Sequence, residues 1–124
     1  MYVFTNLNPQ GLKIGDCVVR AISAALNQSW ERTYAELCIE GFAFANLPNA
    51  NEVWGAYLRN KGYTRHTVPN TCPDCYTFGD FAAEHTNGTF IIATGSHVAC
   101  VKDGKLLDNW DSSNEVVAYY YSKE

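Results

Sequence analysis

The chain has 124 residues, of which 47% are hydrophobic and 18% are charged, and its formal net charge is −4. This length is typical of one domain, and the hydrophobic share excludes a disordered protein. The acidic balance argues against a nucleic-acid partner, since phosphate contacts need a basic surface. No segment approaches the roughly 20 apolar residues of a membrane span. We therefore expect a single domain over residues 1–124 that binds neither nucleic acid nor a membrane.

Three helices are predicted in the first half of the chain, because apolar residues recur there at helical spacing behind polar capping residues. Asp16 is expected to cap the first helix and Ser29 the second, and glycines are typical stops for the second and third. The predicted ranges are 17–27, 30–41 and 51–62. The core of this helical half is expected to contain Trp30, Trp54, Tyr57 and Phe81.

The second half changes to β-branched and apolar runs, which predict strands. Thr77 and Asp80 have the spacing of a capping box and predict one short helix among them. The predicted strands are 63–68, 89–94, 97–102, 105–110 and 116–121. Helices followed by strands indicate the α+β class, with N-terminal helices packed on a C-terminal antiparallel sheet.

The pair Asp103-Gly104 is a strong signal for a two-residue hairpin turn. Such a turn pairs Lys102 with Lys105 and, further along, places His97, Asp108 and Trp110 on one face of the hairpin. The backbones of His97 and Asp108 are then about 7 Å apart, which is within reach of their side chains. A register shifted by one residue favours Asn109 or Asp111 as the carboxylate or amide partner instead.

Cys17 lies at the predicted first turn of a helix, where free N–H groups and the helix dipole stabilise a thiolate. The same N–H groups can receive a developing oxyanion. His97 provides a general base, and Asp108 would hold its imidazole in one orientation. A cysteine, a histidine and an aspartate in this order predict a catalytic relay of Cys17, His97 and Asp108. Taken singly, Cys17 is also explained as a core cysteine and His97 as a solvated histidine.

Three blocks carry a resemblance, and they run Gly15-Asp16-Cys17-Val18-Val19-Arg20-Ala21-Ile22-Ser23, Gly95-Ser96-His97-Val98-Ala99 and Asp108-Asn109-Trp110-Asp111. In this order they resemble the papain-like cysteine peptidase superfamily, most closely the bacteriocin-leader peptidases and compact papain-like proteins of bacteria and their phages. The resemblance implies a papain-like fold and thiol-dependent hydrolysis of a peptide or isopeptide bond, without a cofactor. It implies protein or peptide substrates, in the cytoplasm of a bacterium or of a phage-infected cell.

The chain departs from that family at the residue that completes the oxyanion hole. Papain-like enzymes commonly have a glutamine six residues before the nucleophile, whereas Gln10 lies seven residues before Cys17. We expect Gln10 to serve as the oxyanion residue, with Asn6 and Asn8 as alternatives. The departure also leaves open a non-catalytic binding protein on the same fold, such as a phage or mobile-element product that engages a host protein. A cell-wall amidase of the NlpC type shares the Cys–His chemistry, but the absence of an export signal argues against it.

The remaining cysteines are Cys38, Cys72, Cys75 and Cys100, which makes five in all. An odd, small number does not predict a disulfide framework, so a cytoplasmic location with reduced thiols is expected. Cys72-Pro73-Asp74-Cys75 is a lone C-x-x-C pair, and a structural zinc needs four ligands. His66 and His85 match no ligand spacing, so we expect ordinary thiols here and no metal.

Overall fold

A computed structural model of the protein describes residues 1–123. The α+β class is confirmed, with helices and strands alternating more than the sequence predicts. The elements are β1 Tyr2–Phe4, α1 Cys17–Leu26, α2 Trp30–Phe44, α3 Asn51–Asn60, β2 Tyr63–Thr67, α4 Phe78–Glu84, β3 Thr89–Ala93, β4 Val98–Lys102, β5 Lys105–Asp108 and β6 Tyr119–Lys123.

The strands of the described chain form one six-stranded sheet in the order β1-β5-β4-β3-β6-β2. The prediction of a purely antiparallel sheet from the C-terminal half is wrong, because β1 joins the sheet and pairs in parallel with β5. The other pairings are antiparallel. The strand expected from residue 116 begins only at Tyr119, since Val116 forms an isolated bridge with Thr77.

The two faces of the sheet carry separate hydrophobic clusters. Alternate residues of each strand point to opposite faces, so Ile91 and Cys100 pack with α1, α2 and α3 while Ile92 and Ala99 pack with α4. Trp54 and Tyr57 belong to the first cluster as predicted, and Trp30 is partly buried against it. Phe81 is fully buried but belongs to the second cluster, so its predicted place in the helical half is wrong.

Side-chain capping explains where α2 and α4 begin, whereas Asp16 lies at the start of α1 as predicted but its side chain makes no capping hydrogen bond there. The Ser29 hydroxyl accepts a hydrogen bond from the N–H of Arg32, and the predicted capping box of Thr77 and Asp80 is present. Helix α2 continues past Gly41, where the sequence predicts its end. This glycine does not end the helix but allows another part of the chain to come close to the helix backbone. A Cβ at Gly41 would lie 2.7 Å from the backbone oxygen of Asn46, so the chain after the helix packs directly on its backbone.

The hairpin between β4 and β5 has the predicted register. Asp103 and Gly104 both have positive φ, at 50° and 79°, as a type I′ turn requires. Lys102 pairs with Lys105, Val101 with Leu106 and Cys100 with Leu107. The pairing brings the start of β4 beside the end of β5, where His97 and Asp108 lie.

Cys72 and Cys75 are joined by a disulfide bond, with their Cα atoms 4.2 Å apart. The expectation of ordinary free thiols at this C-x-x-C pair is therefore wrong. The turn between the two residues brings the sulfur atoms together, and bonded sulfurs are not the thiolates that zinc binds. The free cysteines of the described chain are Cys17, Cys38 and Cys100.

Within residues 1–123, none of the helices combines the length and the apolar composition that crossing a membrane requires.

Candidate active site

Cys17 is the first residue of α1, and its side chain is half-buried at the end of the sheet. The first N–H groups of an α-helix have no partner within the helix, so they carry unneutralised partial positive charge at the residue where Cys17 lies. The helix dipole adds positive potential at the same place. A thiol held here is stabilised in its anionic form.

His97 lies immediately before β4 and connects Cys17 to Asp108. Its Nε2 is 2.7 Å from Oδ2 of Asp108, which leaves Nδ1 available to the Cys17 side chain, whose interaction with the ring shifts the pKa of both groups. The imidazole ring packs against Trp110, with ring centroids 4.9 Å apart, and stacks near Phe78 at 6.2 Å. The two aromatic rings restrict the imidazole to one orientation and shield it from water.

Asp108 is 1% exposed, and its carboxylate accepts four hydrogen bonds. Oδ2 accepts from His97 and from the Ser112 hydroxyl, both at 2.7 Å. Oδ1 accepts from Arg20 and from the backbone N–H of Asn109, both at 2.8 Å. The predicted register therefore brings Asp108 to the imidazole.

Asn109 and Asp111, the alternatives for a shifted register, do not take the place of Asp108 beside His97. Asn109 is buried, but it meets Asp108 through its backbone N–H rather than His97 through its amide. Asp111 is exposed and accepts hydrogen bonds from Ser113.

Arg20 is a member of the site that the sequence analysis did not assign. It is buried, and its guanidinium bridges two carboxylates, with Nε 2.7 Å from Asp16 and Nη1 2.8 Å from Asp108. Asp16 also accepts hydrogen bonds from the indole N–H of Trp30 and from Asn8. The spacing of four residues between Asp16 and Arg20 signals an ion pair on one helix face. The link to Asp108, 88 residues away, depends on how α1 packs on the sheet.

The pKa values describe a thiolate–imidazolium pair. Burial opposes ionisation of Cys17, but hydrogen bonds from His97 and from the Val98 backbone, with the charges of His97 and Arg20, lower the pKa of the thiol. Burial likewise opposes the imidazolium, yet Asp108 and Cys17 raise the pKa of His97 to about 9. The pKa of Asp108 is lowered, because hydrogen bonds from His97, Ser112 and Arg20 outweigh its burial. These shifts favour the anionic form of the sulfur and the protonated form of the ring.

Three cavities surround this relay. The Trp110 cavity, of about 330 Å³, is lined by Cys17, His97 and Trp110 with the polar residues Lys13, Ser96 and Asn109. The Asn51 cavity, of about 240 Å³, lies on the other side of Cys17 and His97 and includes Asn49, Asn51 and Gly95. The Trp30 cavity, also about 240 Å³, adjoins both and has mostly apolar walls. Cys17 therefore borders a cavity on each of two sides.

The predicted oxyanion residue does not join the relay. Gln10 is exposed in a turn and lies outside the residues that line these three cavities. The alternatives, Asn6 and Asn8, hold the preceding loop instead. Asn8 is buried, accepts hydrogen bonds from the N–H groups of Gln10 and Leu12, and donates to Asp16.

A comparison with protein-family models, curated proteins and solved structures finds no match to this chain. Among the residues that the structure describes, no three His, Cys, Asp or Glu side chains are grouped as metal ligands.

Proposed function

We propose that the protein is a thiol-dependent hydrolase, most simply a cysteine peptidase that cleaves a peptide or isopeptide bond. The observation that carries the proposal is the His97 imidazole, which is hydrogen-bonded to the buried Asp108 carboxylate and lines the same cavities as Cys17 at the start of a helix. Together these residues supply a nucleophile, a proton carrier and an orienting carboxylate. The papain-like resemblance of the three sequence blocks supports the same conclusion.

In the first half of the reaction, the Cys17 thiolate attacks the carbonyl carbon of the substrate. The electron pair of the carbonyl moves to its oxygen, and the amide N–H of Cys17 at the helix start stabilises that oxyanion. When the intermediate collapses, the carbon–nitrogen bond breaks and the His97 imidazolium gives its proton to the leaving nitrogen. The products of this half are a free amine and a thioester on Cys17.

In the second half, His97 is neutral and acts as a base. It removes a proton from a water molecule while the oxygen of that water attacks the thioester carbon. Collapse of this intermediate releases the carboxylic acid and returns the thiolate, and His97 keeps the proton. The resting thiolate–imidazolium pair is thereby restored, with one water consumed for each bond cleaved.

The proposal is tested by alkylation with iodoacetamide near neutral pH, with peptide mapping to assign the labelled cysteine. Cys17 is expected to react faster than Cys38, which is also half-buried but is not at a helix start. Cys17→Ala is expected to abolish hydrolysis of a peptide mixture, and Cys38→Ala serves as the matched control that retains it. Equal labelling of the two thiols, or hydrolysis by Cys17→Ala, would contradict the proposal.

A second candidate is a non-catalytic binding protein on the same fold, and the exposed position of Gln10 favours it. If Cys17→Ala retains the biological effect of the protein while changes at its surface remove it, this candidate replaces the hydrolase. An amidase of the NlpC type uses the same relay, and it is distinguished by hydrolysis of cell-wall peptides in preference to protein-derived ones.

A further inference from the structure

The Trp30 cavity is continuous with the candidate active site. It shares Gly15 and Asn49 with the Asn51 cavity, which Cys17 and His97 also line. A Cβ placed on Gly15 would meet no atom within 4 Å, so the surface between the two cavities is open. A peptide whose carbonyl lies at Cys17 therefore has a free path along Gly15 into the Trp30 cavity.

The walls of the Trp30 cavity present mainly apolar atoms to a ligand. The lining includes the apolar and aromatic residues Ile14, Val19, Trp30, Tyr34 and Pro48. The one ionised wall residue, Asp16, is 6% exposed, and its carboxylate already receives hydrogen bonds from Arg20, Asn8 and Trp30. The indole N–H is used in that last bond, so the Trp30 ring offers carbon to the cavity. The stacking of Tyr34 on Trp30, with centroids 5.1 Å apart, extends this aromatic wall.

The size of the Trp30 cavity suits one large side chain. Its volume is about 240 Å³, and an apolar protein cavity of about 150 Å³ is enough to hold benzene. A cavity of this kind selects ligands by burial of apolar surface, and it penalises a charged group that finds no partner.

We propose that the Trp30 cavity is the specificity subsite of the enzyme and binds an aromatic or large aliphatic side chain of the peptide substrate. This inference rests on the proposed function, because it assumes that Cys17 attacks that peptide. It assigns the substrate class: peptides with an apolar side chain within a few residues of the cleaved bond.

The first experiment is digestion of a proteome-derived peptide mixture, with the cleaved positions read by mass spectrometry. We expect Phe, Tyr, Trp, Leu or Ile to be preferred over Asp and Gly at one position near the cleaved bond, by roughly tenfold or more in kcat/KM. Tyr34→Asp places a carboxylate at the cavity and is expected to shift that position toward Lys and Arg. Ile39→Asp is the matched control, since Ile39 is an exposed residue of the same helix that lines a different cavity.

The second experiment does not depend on hydrolysis. N-acetyl-phenylalanine amide is titrated into the Cys17→Ala protein, and the indole N–H resonance of Trp30 is followed by NMR and assigned with Trp30→Phe. We expect a saturable shift with this amide and none with N-acetyl-aspartate amide. The shift should disappear in Tyr34→Asp and persist in Ile39→Asp.

The outcomes separate the two proposals. Hydrolysis without any apolar preference, or equal shifts with both amides, overturns the subsite. Binding of the apolar amide without hydrolysis by the unmodified protein overturns the proposed function alone. A Trp30 resonance that changes with protein concentration and not with the amide would assign the cavity to a second copy of the chain and also overturn the subsite.

Discussion

Both oxygens of the Asp108 carboxylate are taken up by donors, and this determines what the position tolerates. Arg20 and the Asn109 N–H occupy Oδ1, while His97 and Ser112 occupy Oδ2. An asparagine has one oxygen and one NH₂ group in place of the two oxygens. Whichever way the amide is turned, its NH₂ group faces two hydrogen-bond donors and can accept from neither. The surroundings of Asp108 are therefore suited to a carboxylate and not to an amide.

Asp108→Asn is therefore expected to lower the free energy of unfolding by about 3 kcal/mol, as removal of one partner from a buried ion pair does. The kcat/KM for hydrolysis should fall by roughly 10²–10⁴-fold, because His97 loses its orienting charge. Urea denaturation and steady-state kinetics measure the two effects. Asp111→Asn, at an exposed carboxylate, is the control and should change stability by at most about 0.5 kcal/mol. Equal behaviour of the two variants would contradict the role of Asp108.

The ionisation of Cys17 and His97 predicts a bell-shaped dependence of kcat/KM on pH. The acid limb reports formation of the Cys17 thiolate, and it should lie below the usual thiol pKa of about 8.5 because His97 lowers the pKa of Cys17. The alkaline limb should lie near 9, the pKa to which Asp108 and Cys17 raise His97, because only the imidazolium can protonate the leaving group. A rate that simply rises around pH 8.5, as for an ordinary thiol, would contradict this ion pair.

Among the elements, the β4–β5 hairpin has the most direct effect on the site. Its two-residue turn fixes the register, and the register brings Asp108 to His97. Gly104 has a φ of 79° in this turn, where a side chain is strained.

Gly104→Ala is expected to lower the free energy of unfolding by about 1–2 kcal/mol, the usual cost of a left-handed conformation for a residue with a Cβ. Thermal or urea denaturation measures it. Gly95→Ala is the matched control, because a Cβ at Gly95 would meet no atom within 4 Å and its φ lies outside the left-handed region. An unchanged stability of Gly104→Ala would mean that the turn does not hold the register.

The same elements indicate how far the sequence alone leads. Local chemistry predicts the Asp103-Gly104 turn, the capping box at Thr77 and the start of α1 at Cys17, because each depends on residues close together in the chain. Strand β1 has three residues and no room for a period of two to repeat, so its pairing with β5 was not foreseen. The contact between Arg20 and Asp108 was also missed, because it depends on the packing of α1 against the sheet.

At the scale of the whole molecule, the two shifted pKa values of the relay affect stability in opposite directions. His97 has a raised pKa, so its contribution is complete below its ordinary value of 6.5 and is lost as the pH rises through about 9. Cys17 has a lowered pKa, so its contribution is complete above its ordinary value of 9.0 and is lost as the pH falls. Over the pH range between these ordinary values the two contributions change in opposite directions.

We therefore expect the free energy of unfolding of the unmodified protein to change less between pH 7 and pH 9 than that of Cys17→Ala. In Cys17→Ala only the His97 contribution remains, and stability should fall as the pH rises over this range. Urea denaturation of both proteins at several pH values measures the difference. Cys38→Ala should behave like the unmodified protein. Parallel curves for Cys17→Ala and the unmodified protein would show that the two groups do not form a pair.

The buried ion network also determines whether sulfur or oxygen can serve as the nucleophilic atom. Arg20 bridges the Asp16 and Asp108 carboxylates, and the His97 imidazolium is a second cation beside Asp108. A protonated imidazole cannot accept a proton from an alcohol, and the raised pKa of His97 comes in part from Cys17 itself. A thiol whose pKa is already lowered in these surroundings depends less on such a base. We therefore expect Cys17→Ser to keep the shape of the site and to lose most of its reactivity, because Asp108 and Arg20, which do not contact the substrate, favour the charged forms of the ring and of the sulfur.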